Sequence, residues 1–598
     1  MQPLVIRADI SMIRVDVVVY GVGCFLVPGY LAASLKKRYG KGFHEYLRHK
    51  FAVASSKNLP NREKRTAENT DIVGNGGLEQ GFTSYIPGRE LCEEANVPDM
   101  VLGVVGGEYR GHINRDSIAQ LIANIGKTLS ENYPPNRTIR VAFPAFGLGK
   151  GRSQRIEVLS AQLKAMQILG ENYPNIQPIF ISYSDTVHGM ALMIQNQASQ
   201  DIKSFVTKYK MHKHIDELQN ELANERLVVF AGAGISQGSG LPSWQELVTS
   251  LAEIAGINQK AENVEELMSI AQECRDRLGK SFSKEFKRLL KNSEFVPSIT
   301  HYLLATLPVS TVVTTNFDSL LEQSLLRIKK VAFTINRAFD VAWAPIKDQV
   351  NVLKIHGDID DLGNITFSKD DYEHYFERRP SLSALLKGLF LNRTFLFVGY
   401  SLRDPNLKII LEEVANLLKK AQRPIYMIVF EASEQEILNY KEQGVIIICV
   451  SGKTNDEKTT ALWKLLDKLQ YIGFRPHNTW LAKDANELNL DLKWQADINN
   501  LRDVLDTFLS KLDQQESLSD SVIDFLFPWL TLATNNGLSI SSELWEKIAR
   551  HYRERDSQIE SIKLNALAAE IAAFRSSDGK RQQRHEARIW EMRKNWHK

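Results

Sequence analysis

The stretch Leu227–Trp244, LVVFAGAGISQGSGLPSW, constrains this chain more than any other. Leu227 to Phe230 is short, apolar and β-branched, the composition of a strand buried on both faces of a parallel sheet. It runs straight into Gly232-Ala233-Gly234 and on through Ser236, Gly238, Ser239 and Gly240. From Trp244 the apolar spacing turns helical, with Leu247, Val248 and Leu251 on its face. A strand, a glycine-rich turn and a helix start together form an anion cradle. Glycines let the backbone approach a diphosphate, and the free N–H groups of a helix start point at it. The spacing here is GxGxxxG, and no acidic residue ends a second strand about 20 residues on, as the dinucleotide fingerprint requires. Taken alone, the loop fits a tight turn as well as a nucleotide site.

Further buried strands follow, each ending in a polar or glycine turn. Val309–Thr314 leads into Thr315-Asn316-Phe317-Asp318, and Val352–Ile355 into His356-Gly357-Asp358. Thr394–Val398 leads into Gly399-Tyr400-Ser401, and Pro424–Phe430 and Val445–Val450 supply last strands of a parallel sheet. Polar clusters at the carboxyl ends of parallel strands are where such sheets bind ligands. Asn316 and Asp318 are also good helix caps, and a lone histidine is more often structural than catalytic.

Taken in order, GAGISQGSGLPSW, TTNFD, IHGD and VGYSLRD resemble the motifs of the sirtuins, the silent information regulator family of NAD-consuming enzymes, over roughly residues 205 to 475. The resemblance implies that Gly232, Ala233, Gly234, Ser236, Ser239 and Pro242 line the nucleotide. Thr315 joins them, with Gly399 and Ser401 against the adenosine ribose and Asp404 as a cap or ribose contact. It implies that Asn316 faces the nicotinamide ribose and orients water or the leaving group. Asp318 fixes that geometry or holds the ribose hydroxyls, and His356 is the general base. Ser368–Tyr372 resembles a segment that follows this histidine in the NAD-hydrolysing branch and is read as structural. His301, in a helical pattern, is read as a packed or capping residue. Protein-deacylating sirtuins carry two CxxC pairs that hold zinc. The four cysteines here, Cys24, Cys92, Cys274 and Cys449, form no such pair, so no metal is expected and peptide deacylation is disfavoured.

Residues 1 to about 200 alternate strands and helices. The strand-like runs are Val5–Ile10, Val15–Val19, Met100–Val105, Ile139–Phe143 and Pro178–Ser182; the helical ones are Ser117–Glu131 and Arg155–Gly170. This is the pattern of a doubly wound α/β domain. Ala8-Asp9-Ile10, the segment Val101–Tyr109 and the loop Phe143–Gly151 resemble a macrodomain, the module that binds ADP-ribose and its relatives. The resemblance implies that Asp9 holds an adenine and that the loop from Gly147 through Gly149 to Gly151 wraps phosphates. Tyr20-Gly21-Val22-Gly23 stands where that family has an asparagine-rich turn, which favours a sensor of an ADP-ribose-like nucleotide over a hydrolase.

The 598 residues suggest roughly three or four domains. The expected fold is α/β and multidomain. It comprises a macrodomain-like α/β/α module (1–200), a polar helical linker (201–225), a Rossmann-like sirtuin domain with a parallel sheet (226–475) and a helical carboxyl-terminal region (476–598). A formal charge of +3, from 74 basic and 71 acidic residues, makes no general case for nucleic acid. The basic tail from Lys580, with Trp590 and Trp596, reads as an amphipathic helix packing on a neighbouring subunit, so a homo-oligomer is expected. The uncharged run Val17–Leu35 contains Gly21, Gly23, Pro28 and Gly29 and reads as strand and glycine loop, not as a membrane span. A reducing cytoplasm is the expected home.

The function implied is NAD+ glycohydrolysis to nicotinamide and ADP-ribose, in an effector of bacterial antiphage defence gated by a nucleotide at the amino-terminal module. The alternatives are an ADP-ribosyltransferase, a zinc-independent deacylase acting on protein, or a non-catalytic ADP-ribose reader.

Overall fold

A computed structural model describes residues 2–23, isolated positions between 35 and 47, and residues 81–92, 97–106, 115–146, 155–183, 185–198, 212–259, 261, 263–290, 295–344, 349–400, 423–450 and 452–470. The expectations for Gly147, Gly149, Ser401, Asp404 and the carboxyl-terminal region lie outside these residues.

Two α/β sheets belong to one compact unit, residues 1–153 and 158–474. The first sheet has six strands: β1 (Leu4–Arg7), β2 (Val17–Gly23), β3 (Thr83–Ile86), β4 (Asp99–Gly106), β5 (Ile139–Pro144) and β6 (Ile176–Ser182). Their order is β1-β6-β5-β2-β4-β3, parallel throughout except for the antiparallel edge strand β3. Helices α1 (Arg115–Asn132), α2 (Arg155–Asn172) and α3 (Asp185–Ala198) connect or follow the later strands. Tyr20–Gly23 continues β2 instead of turning: Tyr20 is buried, and a Cβ on Gly21 would lie 2.8 Å from the Val105 side chain and 2.9 Å from the Phe146 ring. Close packing, not a turn, requires that glycine.

The second sheet has seven strands: β7 (Leu227–Ala231), β8 (Thr311–Thr314), β9 (Ala332–Ile335), β10 (Val350–Lys354), β11 (Thr394–Val398), β12 (Ile425–Val429) and β13 (Val445–Cys449). They run β13-β12-β11-β7-β8-β10-β9, all parallel. The chain builds outward from β7 in one direction through β8, then crosses back to lay β11 on its other side. That reversal beside β7 opens a crevice at the carboxyl ends of the strands.

Four more helices matter: α4 (His212–Ala223), α5 (Trp244–Ile254), α6 (Ile299–Thr306) and α7 (Leu320–Arg327), with α8 (Asn455–Gln470) closing the described chain. Every residue of α6 is buried, as expected of a helix with structure on all sides. α6 and α8 join a core that includes Leu4 and Ile6 of β1 and Val229 of β7. Across this seam Trp463 Nε1 donates to Thr300 Oγ1 (2.9 Å), Gln470 Nε2 to the Val5 carbonyl (2.8 Å) and the Tyr302 hydroxyl to the Met12 carbonyl (3.0 Å). Each large apolar side chain so buried contributes roughly 1.5–3 kcal/mol, so apolar packing dominates the seam. α4, expected as a solvated linker helix, packs instead: Ile215, Leu218 and Leu222 recur at helical spacing and are all buried in this core.

Candidate active site

The motif turns after β7, β8, β10 and β11 all leave the same edge of one parallel sheet, which is why segments far apart in sequence meet. A cleft there is lined by Ser236, Thr315, Asn316, Asp318 and His356 on its polar side, with Ala233 and Pro242 beside them. Leu241, Trp244, Leu247, Leu290, Phe317 and Tyr372 form an apolar wall.

The glycine loop is held by the turn after β11. Gly232 N donates to the Val398 carbonyl and Gly234 N to the Gly399 carbonyl, both at 2.9 Å. A Cβ on Gly232 would sit 2.6 Å from the Tyr400 ring, and one on Gly234 2.8 Å from the Gly399 oxygen. Gly399 itself has φ +79°. The amides of Gly232 and Gly234, read from sequence as open to a phosphate, are therefore spent on the neighbouring turn. These glycines serve the close approach of two backbones. Ser239 is fully buried, and its carbonyl accepts from Arg14 Nη1 at 3.3 Å. Ser243 caps α5 in a reciprocal pair with Glu246 and so sets Trp244 at the cleft.

After β8, the Asn316 backbone N–H donates to Thr314 Oγ1 (3.0 Å), and Thr315 Oγ1 meets the Tyr400 hydroxyl (2.7 Å). Asn316 Nδ2 donates to the Gly232 carbonyl (3.2 Å) and to Ser236 Oγ (3.0 Å). Ser236 Oγ in turn donates to Asp318 Oδ2 (2.9 Å), whose Oδ1 accepts from Leu320 N (3.0 Å) at the start of α7. Ser236 has one hydrogen and a carboxylate can only accept, so Ser236 must accept from Asn316. The amide is thereby oriented. Its Oδ1 is buried and accepts no hydrogen bond among the described residues. An unmet buried acceptor at the edge of a cleft is costly unless something else donates to it.

His356 follows β10 at a turn only glycine can make. Gly357 has φ +92°, and a Cβ there would lie 2.4 Å from the Asn364 carbonyl. The His356 carbonyl accepts from Thr366 N (2.8 Å), and its ring packs edge-on against Tyr372 and Tyr375. Burial, reinforced by the Arg379 guanidinium, lowers the imidazole pKa to about 3. His356 is thus neutral at physiological pH, a hydrogen-bond acceptor and a weak base. The near-neutral base expected from an unperturbed histidine is displaced by desolvation.

Two contributors escaped the sequence reading as parts of the site, and a third, His301, does more than the packing or capping read for it. Lys354, fully buried, donates to the Phe317 (3.1 Å) and Asp318 (2.7 Å) carbonyls and pairs with Asp358 (2.7 Å) and Glu322 (3.2 Å). Burial alone lowers its pKa, but Glu322 and Asp358 outweigh that and raise it, so the ammonium stays charged and ties the two motif turns together. Tyr372, grouped with structural neighbours, lies between the His356 and Trp244 rings. His301 caps its own helix through Ser298 and reaches Ser236. Lysine in a strand two residues before the histidine was the available signal for the first.

Asp9, at the end of β1, is engaged: Oδ1 accepts from Ser11 N (3.0 Å) and Ser11 Oγ (2.6 Å), and Oδ2 pairs with Arg327 of α7 (3.3 Å). No helix among the described residues is long and apolar enough to cross a membrane.

Residues 310–448 match the family described as SIR2-like domain. Over 222 residues the chain is 34% identical to NAD(+) hydrolase ThsA of Bacillus cereus (strain MSX-D12), covering 36% of this chain and 45% of that one. Over 325 residues it is 31% identical to NAD(+) hydrolase ThsA of Acinetobacter baumannii (strain 532279), covering 50% and 62%. The chain thus spans about half the length of these relatives. A macrodomain from Oceanobacillus iheyensis aligns with 33% of this chain and 91% of its own, at 14% identity and a TM-score of 0.25, too low to carry weight. The part of the chain from β8 to β13, which carries the motif turns after β8, β10 and β11, is thus similar to the SIR2-like domain.

Proposed function

We propose that this chain hydrolyses NAD+ to nicotinamide and ADP-ribose at the cleft between Asn316 and His356. The observation that carries the reading is the orientation of Asn316: its Oδ1 is left as a buried acceptor beside a histidine held neutral. Breaking the bond between ribose C1′ and the pyridinium nitrogen sends the electron pair to nitrogen and releases neutral nicotinamide, so no acid is needed. The oxocarbenium-like carbon then takes a water oxygen. That water becomes strongly acidic as the new C–O bond forms, so a weak base is an adequate acceptor. Asn316 Oδ1 and His356 supply acceptors for the ribose hydroxyls and the attacking water, with Asp318 holding Ser236 and thereby Asn316. The apolar wall limits other water. The names of the relatives agree with this chemistry.

We further propose that the chain is a cytoplasmic, homo-oligomeric effector of antiphage defence gated by an ADP-ribose-like nucleotide at residues 1–200. The loop after β1 supports a direct route: Arg14 reaches the Ser239 carbonyl, Met12 accepts from Tyr302, and Asp9 holds Arg327. A nucleotide drawing on Asp9 competes with that last contact.

Nicotinamide release from NAD+ by the purified protein, with and without ADP-ribose-like nucleotides, tests both parts. Release that requires Asn316 and rises with one nucleotide is expected. Labelled protein or acyl-ADP-ribose in place of free ADP-ribose would overturn hydrolysis in favour of transfer, and nucleotide-independent release would overturn the gating.

A further inference from the structure

His301 is fully buried, third in α6, and faces two ways. Nδ1 lies 3.1 Å from Ser298 N and 2.8 Å from Ser298 Oγ. The Ser298 N–H can only donate, and the Ser298 hydroxyl lies nearer to Nδ1 (2.8 Å) than to the Ile235 carbonyl it also reaches (3.2 Å), so Nδ1 is the acceptor of both and the ring proton of the neutral imidazole is on Nε2. Nε2 lies 3.4 Å from Ser236 Oγ. The serine hydrogen goes to Asp318, so the oxygen lone pairs receive Nε2–H of His301 and Nδ2–H of Asn316. The direction of every bond follows: His301 to Ser236, Asn316 to Ser236, Ser236 to Asp318. Were the Asn316 amide flipped, its Oδ1 would face a serine oxygen whose hydrogen is committed and the Gly232 carbonyl, acceptor against acceptor.

The His301–Ser236 contact is long for a hydrogen bond, and its worth lies in what it prevents. With a donor on that side, the Ser236 hydroxyl cannot gain by turning its hydrogen away from Asp318 toward Asn316. We propose that His301 is a positioning residue: through Ser236 it holds the Asn316 amide with Oδ1 toward the reacting ribose. The inference rests on reading the cleft as an NAD+-hydrolysing site.

The two jobs of His301 separate chemically. In His301→Asn the amide oxygen takes the place of Nδ1, keeping the Ser298 cap and losing the reach to Ser236. In His301→Gln the amide nitrogen takes the place of Nε2 and keeps that reach. Steady-state nicotinamide release and thermal unfolding are measured for wild type and both variants. His301→Asn is expected to unfold near wild type, with kcat down about tenfold or more and KM within about twofold; His301→Gln is expected to recover most of the loss in kcat. A His301→Asn enzyme with wild-type kcat, or losses in both variants that only track the folded fraction, would overturn the proposal. Histidine ring nitrogen shifts of the labelled protein, assigned with His301→Gln, give a readout independent of turnover. The Nε2–H form is expected, and the Nδ1–H form would overturn the positioning. No release by wild type with the Nε2–H form present would overturn the reaction assigned to the cleft and leave the positioning chain standing.

Discussion

The two sheets have the same kind of architecture and differ in what stands at their strand ends. In the second, the turns after β7, β8 and β10 converge on one cleft and leave Asn316 Oδ1 as an unmet acceptor. In the first, the acidic residue at the end of β1 is already satisfied by Ser11 and by Arg327 from the other sheet's layer. Among the described residues, one edge keeps an acceptor open, whereas the carboxylate of the other is latched to its neighbour. A carboxylate at a strand end is thus a poor guide to a site until its partners are counted.

The largest test of this contrast is Lys354→Met. It leaves Glu322 and Asp358 buried without their cation and should cost about 3–5 kcal/mol of unfolding free energy, read by urea denaturation. A loss below about 1 kcal/mol would show that the staple between the motif turns is dispensable. Next, Asn316→Ala should lower kcat for nicotinamide release by about a hundredfold, equivalent to about 2.7 kcal/mol, with unfolding nearly unchanged. Retained activity would erase the distinction drawn between the two edges.

A smaller effect involves both sheets. Burial lowers the pKa of His188 to about 3, of His301 to about 4 and of His356 to about 3. Below the unfolded value near 6.5 the unfolded chain takes up protons that the folded one refuses, so stability falls as pH drops. Asp467, raised to about 7 by burial, works in the opposite sense because the folded state is then the one that holds the extra proton. The net loss between pH 6.5 and 5.5 should be roughly 2 kcal/mol, read from denaturation midpoints at each pH, and a flat profile would contradict neutral burial of these rings. The smallest effect belongs to the latch. Arg327→Ala removes a partly exposed ion pair and should change stability by about 1 kcal/mol or less. If the latch gates the cleft, nucleotide-free NAD+ turnover should rise all the same. Unchanged basal turnover would reduce the latch to a surface contact.

The strands that were easy to read are the central ones. β7, β8 and β11 are buried on both faces, which demands an apolar, β-branched run visible in any window. β3 and β9 gave no such signal. Each is the edge of its sheet, four residues long and mostly half-buried, so burial asks little of its composition. Of the site, the motif residues Asn316, Asp318 and His356 were nameable in advance because their types and order carry the resemblance. The depressed pKa of His356 was not, because it depends on the desolvation supplied by residues distant in sequence. Nor was the spending of the Gly232 and Gly234 amides, which needs the turn at Gly399, some 165 residues away in the chain.

By itself, then, the sequence determined the alternation of strands and helices, the parallel character of the second sheet and the set of polar residues available at its strand ends. These follow from local periodicity and residue type. Only the tertiary structure decided which of those residues are free to act, through the switch in strand order beside β7, the buried Lys354 that joins two turns and the chain of donors that orients Asn316. Hydrogen-bond direction and desolvation are properties of neighbours brought together by folding, and local sequence does not encode who those neighbours are.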